Sequence, residues 1–111
     1  IDDIVAGLVS CLDAAPADDG RVKAGGSTRP HALYNIGNSR PAPLMKVIAI
    51  LERECGRKAN IKMLPMQPGD VYATYADIEA IQHDRGYRPT TPVEFGVPAV
   101  VRWYKGYHAI R

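Results

Sequence analysis

The sequence predicts a small α/β fold of about four helices and two or three short strands. Apolar residues recur at helical spacing in four stretches, and two shorter stretches have the character of strands. Glycine or proline separates these stretches. The predicted order is helix, loop, strand, helix, strand, loop, helix, helix. Two strands rarely form a stable sheet alone, so we expect them to extend, or pack beside, a sheet outside this chain.

The first predicted helix covers residues 2–15 and ends before Pro16. Its apolar positions follow helical spacing: Ile4, Val5, Leu8, Val9 and Leu12. Residues 16–30 form a polar loop without periodicity, rich in Gly, Asp and Pro. Because this loop is longer than most connections, we expect it to be mobile or a lineage-specific insertion.

The middle of the chain predicts a strand, a helix and a second strand. Residues 32–36 favour a short strand. The second helix is expected to begin near Pro41 or Pro43 and to end at Gly56. Residues 60–64 alternate apolar and polar side chains, which predicts the second strand, and a short extended piece follows Val71 as far as Tyr75.

Two helices are predicted at the end of the chain. The third begins at Asp77, a residue type that caps helices, and ends at Gly86. The fourth begins at Thr91-Pro92-Val93-Glu94, which combines a capping box with proline at the first helical position. Proline at position 98 should kink this helix near Glu94, since it removes one backbone hydrogen bond.

Residues 64–71 are the strongest candidate for a binding site. Pro65 and Pro68 restrict φ and Gly69 permits a sharp turn, so the loop holds Gln67 and Asp70 three residues apart. A neutral amide beside a carboxylate suits recognition of a polar ligand. The alternative is that Pro-Gly-Asp is ordinary turn chemistry.

Composition excludes several classes of function. The 111 residues allow one domain at most, and a net charge of +2 with 7% aromatic residues gives no pattern for binding nucleic acid. No apolar run is long enough to predict a membrane span, and no signal peptide is visible. Cys11 and Cys55 are expected to be reduced thiols of a cytoplasmic protein. The chain opens without Met directly on a helix, as a piece of something longer would.

No residue pattern predicts chemistry within this chain. The three histidines lack metal-ligand spacing, so we expect surface or capping roles and no metal site. No serine lies in a nucleophile-elbow motif, and the adjacent aspartates at 2–3 and 18–19 do not face one another. Gly25-Gly26 lacks the spacing and the preceding strand of a dinucleotide-binding turn.

Several segments together resemble one family in the same order along the chain. They are residues 1–5, 34–39, 64–71, 74–77, 86–92 and 101–104. The chain resembles the C-terminal portion of an extended short-chain dehydrogenase/reductase of the NAD-dependent epimerase/dehydratase family. Within it, the chain is most similar to the UDP-glucuronate 4-epimerases. The resemblance covers nearly the whole chain except residues 16–30.

The resemblance implies that residues 1–111 are the nucleotide-sugar-binding subdomain and that an N-terminal Rossmann domain carrying NAD is missing. The parent enzyme would interconvert UDP-glucuronate and UDP-galacturonate through a 4-keto intermediate, using a Tyr-x-x-x-Lys motif. No tyrosine of this chain has lysine four positions later. We therefore expect the fragment itself to bind no cofactor and to be inactive, with no catalytic residue.

The resemblance also assigns the site residues. The position of Gln67 contacts the substrate diphosphate, and that of Asp70 accepts a hydrogen bond from a ribose hydroxyl. Asn35 matches a polar contact near the nucleotide, with capping of the following turn as the alternative. Asp3 matches an aspartate that we interpret as structural, and Asp77 is expected to cap the third helix.

Three other functions remain open from the sequence. A nucleotide-sugar 4,6-dehydratase and a decarboxylase share the scaffold of the epimerases. A non-catalytic binding or scaffold module is the alternative from another class. For the epimerase interpretation, the expected partners are a UDP-sugar and the missing Rossmann domain. The isolated piece is expected to self-associate through exposed apolar surface.

Overall fold

The computed structural model describes residues 1–110, and these contain four α-helices. They are α1 (Asp2–Leu12), α2 (Leu44–Cys55), α3 (Glu79–Arg85) and α4 (Val93–Tyr107). The four predicted helices are therefore confirmed. The predicted α/β class is wrong, because the described residues form no strand and no sheet.

The two predicted strands and the extended piece that follows Val71 are irregular segments. An alternation of apolar and polar residues indicates that successive side chains face different surroundings. A strand also needs a neighbouring strand that bonds to its backbone N–H and C=O groups. Within the described range, residues 60–64 have no such neighbour. Residues 32–36 have a single backbone bond to the preceding loop, from Leu33 N to Ala24 O at 2.9 Å. The side-chain pattern was present without the pairing that makes a sheet.

The chain divides into two compact units. The first combines Ile1–Arg40 with Tyr75–Thr90, and the second combines Pro41–Thr74 with the described residues from Thr91 onward. In the first unit α1 packs against α3, and in the second α2 packs against α4.

The core of the first unit is formed by Ile78, Ile81 and Tyr87. The Tyr87 hydroxyl donates to Gly37 O at 3.1 Å, which fixes the end of the extended segment beside this core. Gly7 of α1 is buried against Tyr87 and Ile36, and a Cβ there would lie 3.2 Å from atoms of both. The absence of a Cβ at Gly7 thus allows α1 to pack closely against Ile36 and Tyr87.

Side chains of two aspartates organise the first unit. Asp3 accepts hydrogen bonds from Thr90 N at 3.1 Å and Thr90 Oγ1 at 3.2 Å, which confirms its structural role. Helix α3 begins at Glu79 instead of Asp77, but Asp77 Oδ1 accepts from Glu79 N at 3.0 Å. The prediction that Asp77 is the N-cap is wrong, because the helix starts two residues later than expected and Ile78 is its N-cap. Gly86 ends the helix with φ of 66°, as predicted.

The second unit is held by contacts between α2 and α4. Ile50 and Val101 are buried, and Lys105 Nζ donates to Glu54 O at 2.7 Å. Lys46 of α2 forms an ion pair with Glu94 of α4. Gly56 closes α2 in the left-handed conformation, which confirms the predicted C-cap.

Helix α4 starts one residue later than predicted and continues through its internal proline. Pro92 is the N-cap instead of the first helical residue, and its carbonyl accepts from Phe95 N and Gly96 N, both at 3.0 Å. Pro98 removes the backbone donor that would bond to Glu94 O. Its ring is buried, so the free energy of apolar burial offsets part of that loss.

Candidate functional site

The predicted sharp turn is present at residues 67–70. Asp70 N donates to Gln67 O at 3.1 Å, which closes a β-turn with Pro68 and Gly69 at its central positions. Gly69 has φ of 92°, a value that the third residue of a type II turn requires and that side chains with a Cβ rarely adopt. The backbone thus places Gln67 and Asp70 at the two ends of one rigid turn.

Both polar side chains of this turn are exposed to solvent. Among residues 1–110, no side chain or backbone group engages the Gln67 amide or the Asp70 carboxylate. Most exposed polar side chains can satisfy themselves with water, so exposure alone does not make a site. What distinguishes this pair is that the turn fixes the backbone at both residues, while their side-chain hydrogen-bonding groups stay available.

Exposed apolar side chains flank the polar pair. Leu64 and Met66 precede it, Val71 and Tyr72 follow it, and Tyr72 is 98% exposed. A surface that alternates apolar groups with a few fixed polar groups suits a ligand with both an apolar ring and polar substituents. A nucleotide is such a ligand.

Asn35 lies in the first unit, whereas Gln67 and Asp70 lie in the second. Its Nδ2 donates to Asp77 O at 3.2 Å, which ties residues 32–36 to the segment before α3. The alternative for Asn35 was a cap on the turn that follows it, but its Nδ2 donates instead to a carbonyl 42 residues later in the chain. One of the two amide N–H groups is used in this contact.

A polar network in the first unit was missed by sequence reasoning. Tyr34 Oη donates to Asp84 Oδ2 at 2.8 Å, and His83 Nδ1 lies 2.7 Å from Asp84 Oδ1. Burial and the bond to Asp84 raise the pKa of Tyr34, while the bonds from His83 and Tyr34 lower the pKa of Asp84. Arg85 lies over the Tyr34 ring, with its Cζ 5.5 Å from the ring centroid. Tyr34 and Asp84 are fifty residues apart, and no motif spacing joins them.

Residues 1–110 contain no group of three or more His, Cys, Asp or Glu side chains that could hold a metal ion. None of the four helices has the length and apolar character needed to cross a membrane.

Comparison with known proteins identifies relatives along the whole chain. UDP-glucuronate 4-epimerase 6 of Arabidopsis thaliana is 40% identical over 115 residues, which cover 100% of this chain and 24% of that protein. UDP-glucuronate 4-epimerase 3 of the same plant is 41% identical over 97% of this chain and 25% of its own length. Protein CapI of Staphylococcus aureus is 34% identical over 97% of this chain and 34% of its own.

The chain thus spans about a quarter to a third of the length of the curated relatives it matches. No protein-family model matches it.

Proposed function

The chain is homologous over its whole length to part of the UDP-glucuronate 4-epimerases, and we propose that it is the nucleotide-sugar-binding part of an NAD-dependent epimerase of that kind. The observation that carries the proposal is the turn at residues 67–70, which holds an unengaged amide and an unengaged carboxylate on an exposed surface. The substrate proposed for the whole enzyme is UDP-glucuronate, interconverted with UDP-galacturonate.

Asp70 is proposed to bind the ribose of the nucleotide. An ionised carboxylate is an acceptor only, so it matches a hydroxyl that donates. Because Asp70 N is already bonded to Gln67 O, the backbone beneath the carboxylate is fixed before the ligand arrives. Such preorganisation reduces the entropy lost on binding.

Gln67 is proposed to contact the diphosphate. Its amide supplies N–H donors to phosphate oxygens without adding a positive charge. A neutral donor gives a weaker and shorter-range attraction than an arginine fork would. The contact therefore contributes more to the position of the diphosphate than to its affinity.

Asn35, which lies in the first unit, is proposed separately as a polar contact to a nucleotide. One N–H group of its amide already donates to Asp77 O, which holds the side chain in place. The amide oxygen and the second N–H can then meet a polar group of the ligand.

We propose no NAD site on the described residues, because their glycine pair lacks the surroundings of a dinucleotide-binding turn. The adjacent glycines at 25 and 26 have φ of 84° and 83°, but they lie in an irregular loop with neither a strand before them nor a helix after them. A Cβ on Gly25 would lie 2.8 Å from Leu33 Cβ, so the glycine is needed here for the close packing of the loop against Leu33. We propose that NAD and the catalytic Tyr-x-x-x-Lys belong to the portion of the relatives that this chain does not match.

Amide-resolved NMR titration of the chain with UDP and with UDP-glucuronate tests the proposal. We expect saturable shifts that cluster at residues 67–70 and at Asn35 for both ligands. Uridine, which lacks the diphosphate, should bind more weakly and leave the Gln67 signals nearly unchanged. Shifts that saturate elsewhere in the chain while residues 67–70 stay silent would contradict the proposal.

A further inference from the structure

A second polar groove lies in the first unit, apart from the turn at residues 67–70. It has a volume of about 680 Å³ and lies between the loop of residues 16–30 and the C-terminal end of α3. Its charged lining consists of Asp19, Arg21, Lys23, Asp84 and Arg85, and its aromatic lining of Tyr34 and His83. The proposed function uses none of these side chains.

The two carboxylates in the groove already have partners. Asp19 pairs with Lys23 Nζ at 2.8 Å and lies 3.8 Å from Arg21 Nε. Both oxygens of Asp84 accept hydrogen bonds, one from Tyr34 Oη and the other from His83 Nδ1. These partners reduce the repulsion that the two carboxylates would exert on an anionic ligand.

Arg85 differs because no carboxylate in the described part of the chain forms an ion pair with it. Its guanidinium lies over the Tyr34 ring, and its Nε is buried without a hydrogen-bond acceptor. A buried donor that lacks an acceptor destabilises the folded state. The guanidinium also interacts with the Tyr34 hydroxyl and with the charge of Asp84. These contacts use only some of its five N–H donors, and the remaining donors can bind an oxyanion.

Arg21 adds a second cation on the loop side of the groove. Its side chain is 88% exposed, so it can turn toward a ligand, whereas Lys23 is 12% exposed and held by Asp19. Counting Arg21, Lys23 and Arg85 against Asp19 and Asp84 leaves one net positive charge in the lining. Helix α3 thus supplies a guanidinium without an ion pair, and the loop supplies an exposed one whose ion pair with Asp19 is long, at 3.8 Å.

We propose that this groove binds a phosphate group, held by the guanidinium of Arg85 and by Arg21 on the opposite side. The phosphate group can belong to inorganic phosphate or to a small phosphate ester, since both present the same oxygens. The groove volume exceeds what an inorganic ion alone fills, and it lies within the range of small-molecule sites.

The test is NMR titration of the chain with inorganic phosphate and, separately, with glycerol 3-phosphate, at constant ionic strength set with sodium chloride. Saturable shifts at Tyr34 and at residues 83–85 are expected with both. An ester that binds more tightly than the inorganic ion identifies the ester as the better ligand, and equal affinities identify the phosphate group alone. No saturation at these residues with either ligand would overturn the proposal.

Variants of Arg85 and Arg88 distinguish a specific contact of Arg85 with phosphate from a general effect of positive charge. Arg85→Met should weaken phosphate binding about tenfold or more, and Arg85→Lys should also weaken it because lysine cannot bond bidentately. Arg88→Met removes an exposed arginine of the same unit that does not line the groove, and it should leave the affinity nearly unchanged. Equal weakening by Arg88→Met would contradict the assignment.

Arg21→Met provides a second test of the site if the Arg85 variants do not fold. Because Arg21 is almost fully exposed, its replacement should preserve the amide spectrum of the first unit. It should still weaken phosphate binding several-fold by removing one cation from the groove. A folded Arg21→Met variant with unchanged affinity would contradict the two-arginine site.

Discussion

Gly69 determines how residues 67–70 present their polar side chains. Its φ of 92° lets the chain reverse over two residues, and a Cβ there would meet no atom within 4 Å. The requirement for glycine is therefore conformational and does not come from lack of space.

Replacement of Gly69 by alanine should lower the free energy of unfolding by about 1–2 kcal/mol, because L residues are strained at this φ. Gly106→Ala is the matched control: a Cβ there also meets nothing within 4 Å, but the residue lies in α4 with helical φ. It should raise stability by up to about 1 kcal/mol. Urea unfolding of both variants measures the difference, and equal effects would contradict the conformational explanation.

At the level of single residues, the sequence predicted what local chemistry controls. The turn at 67–70 was predictable because Pro68 restricts its φ angle and Gly69 permits a positive one. Although the N-cap is Ile78, the bond from Asp77 to the start of α3 was predictable, because aspartate side chains bond to nearby N–H groups. The contact between Tyr34 and Asp84 was not, since only folding brings residues so distant in the chain together.

The close contact between two irregular segments in the first unit depends on Gly37. A Cβ at this position would lie 2.7 Å from the Cβ of Ala76, and neither atom can move without its backbone. The carbonyl of Gly37 also accepts the hydrogen bond of the buried Tyr87.

Gly37→Ala should therefore separate these segments and destabilise the first unit by about 1–3 kcal/mol, as overpacking does. Hydrogen exchange at the amides of α3 would report the loss. Gly96→Ala serves as the control, because a Cβ there meets Thr91 Cγ2 at an ordinary 3.7 Å. Unchanged protection of α3 in Gly37→Ala would show that the segments separate without cost.

The contact between α2 and α4 should make stability depend on pH. The hydrogen bond from Lys46 holds the pKa of Glu94 below its usual value of 4.5. A lowered pKa in the folded state contributes stability above pH 4.5, and the contribution is lost as pH falls through the folded pKa.

Glu94→Gln should thus lower the thermal midpoint at neutral pH, and its difference from the natural chain should shrink as the solution is acidified below pH 4.5. In a Lys46→Met background the same substitution should have little effect at any pH. A difference that persists in that background would exclude Lys46 as the cause.

At the level of elements, helices were predicted better than strands for a physical reason. A helix satisfies its own backbone, and its capping glycines at 56 and 86 act locally. A strand depends on a partner that periodicity does not reveal, and residues 60–64 have the pattern without the partner. The α/β prediction failed at that step.

The chain as a whole exposes much apolar surface. Along α1 the exposed side chains include Ile4, Val5, Leu8, Val9 and Leu12, the last at 81%. Contiguous apolar surface of this kind marks an interface in soluble proteins. Since the relatives are about three to four times longer than the match, we propose that other parts of such proteins cover this helix.

We expect the isolated chain to self-associate through this surface. Static light scattering should show an apparent mass that rises with concentration, and Leu8→Gln should reduce the rise by removing an apolar side chain from the middle of α1. Ala17→Gln places the same polar side chain at an exposed position in the loop of residues 16–30, and it should leave the rise in apparent mass unchanged. A monomer of constant mass over a wide concentration range would contradict the expectation.

The central claim is that the turn at residues 67–70 binds the ribose and diphosphate of a UDP-sugar. The most direct measurement is the dissociation constant for UDP of the natural chain and of Asp70→Ala, with Asp18→Ala as an exposed control. Loss of one charged hydrogen-bonding partner should weaken binding about tenfold or more in Asp70→Ala and leave Asp18→Ala unchanged. Equal affinity of the natural chain and Asp70→Ala for UDP would contradict the claim.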